Sequence, residues 1–132
     1  MKYENPYLEA MRYIDNAREI LKNAGREGKF YIDEKYVHTA FGAAYIGVLK
    51  ALDFLFEIKG LPKAKGRKTI EYYQYQLSKF DKKLLSRLNE AYTLLHLDGY
   101  YSGIKNVKAI EGAFEVAVSI IDYLKPYSKK EE

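Results

Sequence analysis

Hydrophobic residues recur along the chain at spacings of three and four, which is the repeat of an amphipathic α-helix. The repeat covers five segments, at 6–24, about 34–58, 69–80, 81–97 and 106–124. No segment shows the two-residue alternation of a half-buried strand. The pattern therefore predicts an all-α fold of five helices, without a sheet.

Each segment is preceded by a polar residue of the type that caps helix N-termini. These residues are Asn5, Asp33, Thr69, Asp81 and Asn106. Gly25 supplies a left-handed end for the first helix, and 26–32 follows it as a loop. Short connections between long helices favour antiparallel neighbours. We predict an up-and-down helical bundle of four main helices plus one shorter helix, 69–80, with more than about 65% helix.

The second helix is the longest and the most apolar, so we expect it at the centre, packed by helices one, four and five. Leu52 lies in the middle of its widest apolar stripe. Ala43, Gly47 and Ala51 recur every four residues along one side, where small side chains let another backbone approach closely. This side is expected to form a crowded contact with another helix. It is also one candidate for a dimer interface.

Composition narrows the class of protein. The 132 residues suit a single domain over 1–132, with a frayed tail at about 126–132. Absence of Cys and the presence of only two His exclude disulfides and thiolate metal ligation, and we expect no metal or cofactor. With no signal peptide and no uninterrupted apolar run of roughly 18 residues, we expect a cytoplasmic protein with no membrane association.

Positive charge is concentrated in KGLPKAKGRK (59–68), which we call the basic loop. Its five cations exceed the formal net charge of +4, so the rest of the chain carries −1. Tyr occurs 14 times, and Tyr72, Tyr73 and Tyr75 follow the loop. Cations beside aromatic rings suit RNA, through phosphate contacts and base stacking. The candidate phosphate-binding residues are Lys59, Lys63, Lys65, Arg67 and Lys68. The alternative interpretation is that the loop is only a solvated connector between helices.

Three successive segments of the chain resemble a known protein family. They are AFGAAYIGVLKALDFLFEIKGLP (40–62), KFDKKLLSRLNEAYTLLHLDGYYSG (79–103) and NVKAIEGAFEVAVSIIDYL (106–124). Together they resemble the HEPN (higher eukaryotes and prokaryotes nucleotide-binding) superfamily of all-α bundles. The resemblance implies a homodimer that binds a nucleotide-like ligand between protomers or accompanies a nucleotidyltransferase. The second helix or the helix that bears the family motif would form the interface.

The family's Arg-x-x-x-x-His motif, which serves RNA cleavage in active members, is not retained. His96 stands at its Arg position and Tyr101 at its His position. Tyr, with a pKa near 10, is a poor general base at neutral pH. We therefore expect no catalytic residues and a non-enzymatic binding module, with an RNA-binding protein or degenerate ribonuclease as the alternative. The candidate ligand-binding residues are His96, Asp98, Tyr100 and Tyr101, and the other interpretation is a turn with packing tyrosines.

Overall fold

Helices make up most of the fold. The computed structural model describes residues 5–101 and 104–128, with Tyr100 and Tyr101 as backbone only, and is 77% helical. The all-α prediction and the helix content are confirmed. The fourth helix continues beyond α4 as a π-helical segment, Tyr92–Tyr101, and a 3₁₀ turn, Asp122–Tyr127, follows the fifth. The α-helices are α1 Pro6–Lys22, α2 Glu34–Ile58, α3 Ile70–Phe80, α4 Lys82–Ala91 and α5 Val107–Ile121.

All five predicted N-caps are confirmed. Each cap side chain accepts a hydrogen bond from a backbone N–H two or three residues later, as Asn5 does from Leu8 at 3.0 Å. These bonds satisfy donors that a helix start leaves unpaired. The other caps are Asp33, Thr69, Asp81 and Asn106.

The prediction of a loop over 26–32, without any sheet, is wrong. Strands β1 (Arg26–Glu27) and β2 (Phe30–Tyr31) form an antiparallel hairpin, with Gly28 at φ +59° in the turn. The backbone N–H of Tyr31 donates to the Lys105 carbonyl at 2.9 Å, which ties the hairpin to the start of α5. Strands of two residues are too short to show alternation, so the sequence carries no signal for them.

The central position of α2 is confirmed. It packs against α1, α5 and the π segment, and Leu52 is only 1% exposed. The side that carries Gly47 is covered by α1, since a Cβ atom at Gly47 would lie 2.8 Å from the Cβ of Tyr13. The crowded contact predicted for this side therefore exists inside the protomer. Because α1 occupies it, this side does not form a dimer interface.

The apolarity of α2 also satisfies a length-and-composition criterion for crossing a bilayer. One window of 18 residues has a mean hydropathy of 1.4, although charged residues interrupt it. The sequence contains no uninterrupted apolar run long enough to cross a bilayer, as expected. A window that tolerates a few charged residues does reach that length within α2. Since 56% of that window is buried by the rest of the fold, its role as a core helix explains the composition.

The helix that begins at Lys82 extends further than its sequence predicts. The fourth predicted segment ends at residue 97, but the π segment runs to Tyr101. Gly99 faces the ring of Phe41 on α2, and a Cβ atom there would overlap ring atoms. Gly99 thus permits close contact between two helices rather than ending one.

Candidate functional site

A cleft of about 480 Å³ lies where α2, the start of α3 and the π segment meet. We call it the His96 cleft. It joins one residue of the predicted ligand-binding cluster to two residues of the basic loop. Its lining consists of Tyr45, Leu49, Arg67, Lys68, Thr69, Ile70, Glu71, Tyr73, Tyr92 and His96.

One wall of the His96 cleft is aromatic. The rings of Tyr45 and His96 are stacked, with centroids 4.8 Å apart and planes 24° apart. Tyr92 lies four residues before His96 on the same side of its helix, and those two centroids are 5.3 Å apart. Three rings from two helices therefore form a continuous aromatic surface.

The positive charge of the cleft lining comes from the end of the basic loop. Lys68 is held by Asp53, with Nζ 3.0 Å from Oδ1, and the Tyr73 hydroxyl donates to the same oxygen at 2.9 Å. Arg67, which is exposed, has no ion pair within residues 5–101 and 104–128. Asp53 thus anchors the end of the basic loop and leaves the Arg67 guanidinium as the cation available to a ligand. Glu71 is the acidic residue of the lining.

Two tyrosines of the cleft hold their protons tightly. Burial, with smaller contributions from Tyr92 and Glu71, raises the pKa of Tyr45 to about 12. Burial and the neighbouring Asp53 also raise the pKa of Tyr73 far above its usual value. Both hydroxyls are therefore neutral donors near pH 7.

The raised pKa of Tyr45 predicts a pH dependence of stability. The folded chain holds this proton more tightly than the unfolded chain, whose tyrosines titrate near 10. The resulting stabilisation is complete below pH 10 and is lost as the pH rises through about 12. In urea denaturation, the free energy of unfolding should fall less steeply over this range in Tyr45→Phe than in wild type. Tyr75→Phe, at an exposed position, should follow wild type, and a Tyr45→Phe slope equal to wild type would contradict the assignment.

The structure divides the predicted ligand-binding cluster. His96 lies in the cleft, whereas Asp98 is half-buried and not part of its lining. The side chains of Tyr100 and Tyr101 lie outside the described residues, as do residues 129–132 of the expected frayed tail. His96 is therefore the predicted ligand-binding residue placed in the cleft.

The basic loop is divided as well. Only Arg67 and Lys68 line the His96 cleft. Lys59 lies with its Nζ 5.7 Å from the Tyr127 ring centroid, and Lys63 lines a neighbouring groove that Lys68 also lines. Lys65 is exposed. The five cations therefore do not face one ligand together.

The prediction that the tyrosines after the basic loop offer stacking surfaces for bases is partly wrong. Tyr73 is only 3% exposed, so its ring is not a stacking surface for a base. Tyr45 and Tyr92, which are not among the predicted stacking residues, are half-buried and form the aromatic wall. Tyr45 is at the edge of the α2 stripe, and only the helix packing shows that its ring stacks on His96 and lines the cleft.

The lining offers few metal-ligating groups. Across residues 5–101 and 104–128, no three Asp, Glu or His side chains come together as a possible metal site.

Comparison with known proteins identifies a family without an assigned activity. A structure described as a protein of unknown function from Dyadobacter fermentans is 39% identical. The match covers 92% of this chain and 94% of that one, with a TM-score of 0.81. No curated protein matches. The family model described as a domain of unknown function (DUF5618) matches residues 5–126, so the chain belongs to the DUF5618 family.

Proposed function

We propose that the protein is a non-catalytic binding module whose His96 cleft holds a nucleotide-like ligand, that is, a planar base carrying a phosphate. The observation that carries the proposal is the stack of Tyr45 on His96 in the same cleft as Arg67. Aromatic faces bind bases and a guanidinium binds phosphate. The two halves of a nucleotide thus have complementary surfaces within one cleft.

The aromatic wall suits the base. A base–aromatic stack contributes about 1–3 kcal/mol and accepts any base, because every base has a π face. Tyr45, Tyr92 and His96 belong to helices fixed by the core, so their rings are in place before a ligand arrives. This preorganisation lowers the entropy cost of binding.

The end of the basic loop and the start of α3 suit the phosphate. Arg67 offers a planar set of N–H donors that matches phosphate oxygens. Residues 69–71 form the start of α3, an eleven-residue helix whose N-terminus carries partial positive charge. Glu71 opposes a highly charged ligand, which favours a monophosphate over a di- or triphosphate.

The raised pKa of Tyr45 argues against that side chain as a general acid or base. General acid–base catalysis is most efficient when the pKa of the group lies near the working pH. Tyr45, with a pKa of about 12, is far from that condition. The resemblance supports a non-catalytic role as well, because His96 and Tyr101 stand at the positions of the HEPN Arg and His.

A homodimer is part of the proposal. Ile46 and Leu97 directly follow the stacked residues Tyr45 and His96 in the chain, and both are exposed, Ile46 by 47%. Exposed apolar side chains that adjoin cleft residues in the chain suit burial by a second copy. A nucleotidyltransferase-type partner remains a hypothesis from the resemblance. RNA remains the alternative ligand, and of the basic loop only Arg67 and Lys68 line the His96 cleft itself.

Calorimetric titration of the full chain with AMP tests the proposed ligand class. We expect Arg67→Met to weaken AMP binding about fivefold, the effect of one exposed charge-assisted contact, and to leave adenosine binding unchanged. Lys65→Met is the matched control, because it removes a charge from the same loop outside the cleft, and it should bind AMP as wild type does.

Three results would contradict the proposal. They are absence of AMP and adenosine binding at millimolar concentration, equal AMP affinities of the Arg67→Met and Lys65→Met variants, and wild-type AMP binding by His96→Ala. Binding of a single-stranded RNA without binding of AMP would replace the proposed function by the RNA alternative.

A further inference from the structure

A second groove, of about 390 Å³, lies on another part of the molecule between α1, the hairpin and α5. We call it the α1–α5 groove. Its base is apolar and is formed by Leu21, Ile110 and Phe114. Small-molecule sites commonly have this size and an apolar lining with a few polar groups at the edge.

The edge of the α1–α5 groove is mainly basic. Arg18 lies over Phe114, with its guanidinium carbon 6.0 Å from the ring centroid. Arg26 is held at the hairpin, since its Nε donates to the Gly28 carbonyl at 3.1 Å. Lys22 also lines the groove, but its Nζ is 2.8 Å from the carboxylate of Glu19. With Lys22 paired to Glu19, the lining leaves two arginines and one acidic residue, Glu111.

We infer that the α1–α5 groove binds a small carboxylate with an apolar body. The apolar part of the ligand lies against the half-buried Tyr31 and the aliphatic stems of Arg18 and Lys22, above the buried floor of the groove. Its carboxylate accepts N–H bonds from the Arg18 and Arg26 guanidinium groups, each of which can donate two. A neutral ligand of the same shape gains only the apolar contact. Charge complementarity therefore selects the anion, and this inference does not rest on the function proposed for the His96 cleft.

Titration of the ¹⁵N-labelled full chain with 2-naphthoate tests this site, with the backbone amides of Gly25, Arg26 and Tyr31 as reporters. We expect saturable shifts at these amides, and at least fivefold weaker binding of the neutral 2-naphthamide. A parallel titration with octanoate shows whether an aliphatic body serves as well as an aromatic one.

Three variants test the role of charge in opposite directions. Arg18→Met keeps an apolar side chain over Phe114 and should weaken naphthoate binding about fivefold, whereas Glu111→Gln should strengthen it about twofold. Arg12→Met, on the same helix and paired with Glu9 outside the groove, should leave it unchanged. Absence of saturable shifts with both carboxylates, equal affinities for naphthoate and naphthamide, or equal effects of Arg18→Met and Arg12→Met would overturn the inference.

Discussion

Leu52→Ala is expected to lower the free energy of unfolding by about 2–5 kcal/mol, the range for truncating a buried leucine. Leu52 is 1% exposed at the centre of α2, the helix that contacts α1, α5 and the π segment. These helices are held by one another, so they cannot collapse fully into the space that the side chain leaves. Urea denaturation followed by circular dichroism measures the change.

Leu8→Ala is the matched control for Leu52→Ala. Leu8 lies on α1 and is 43% exposed, so the same truncation should cost less than about 1 kcal/mol there. A loss below about 0.5 kcal/mol for Leu52→Ala would show that the inward face of α2 is wrongly assigned.

Gly99→Ala is expected to destabilise the fold by about 1–3 kcal/mol, the usual cost of inserting a methyl group into a filled core. The added Cβ would overlap the ring of Phe41. That ring is buried and packs edge-on against Phe114, at 6.0 Å between centroids, so it has no open space to move into. The π segment would have to shift away from α2.

Gly112→Ala provides a control of opposite sign. Gly112 lies inside α5, and an added Cβ there meets no atom of the described residues within 4 Å. Alanine at this position should therefore stabilise the protein by about 0.5–1 kcal/mol through helix propensity alone. A neutral or stabilising Gly99→Ala would contradict the contact between the π segment and α2.

Most of the fold can be predicted from short-range signals in the sequence. Residues such as Asn5 and Thr69 identify helix starts because their side chains compete for nearby N–H groups, an effect that needs no tertiary structure. The apolar stripe around Leu52 likewise follows from helix geometry. These signals specify where helices begin and which face is buried.

The sequence does not reveal features that depend on contacts between helices. In the sequence alone, Gly99 indicates the end of a helix. Only the position of the Phe41 ring explains why a glycine occurs inside a helix that continues. The hairpin of β1 and β2 is stabilised partly by a bond to Lys105, far along the chain. Neither feature has a local pattern that distinguishes it from a loop.

The candidate site is only half predictable for the same reason. His96 and Arg67 can each be identified from the local sequence, because His96 lies at a predicted helix end and Arg67 lies in a run of cations. Their common cleft arises because Asp53 fixes Lys68 and so places the start of α3 beside the π segment. Tyr45 has no such signal, since a tyrosine at the edge of an apolar stripe is typical of core packing.

Aromatic ¹H–¹³C and ¹H–¹⁵N NMR spectra of the full chain during titration with AMP show whether the His96 cleft holds a nucleotide. We expect the ring signals of Tyr45, Tyr92 and His96 to shift together with the Arg67 side-chain N–H, along one saturation curve. The amides of Gly25 and Arg26 in the α1–α5 groove should not move. Shifts confined to residues outside the His96 cleft, or no saturable shift of the three rings, would contradict the proposed nucleotide site.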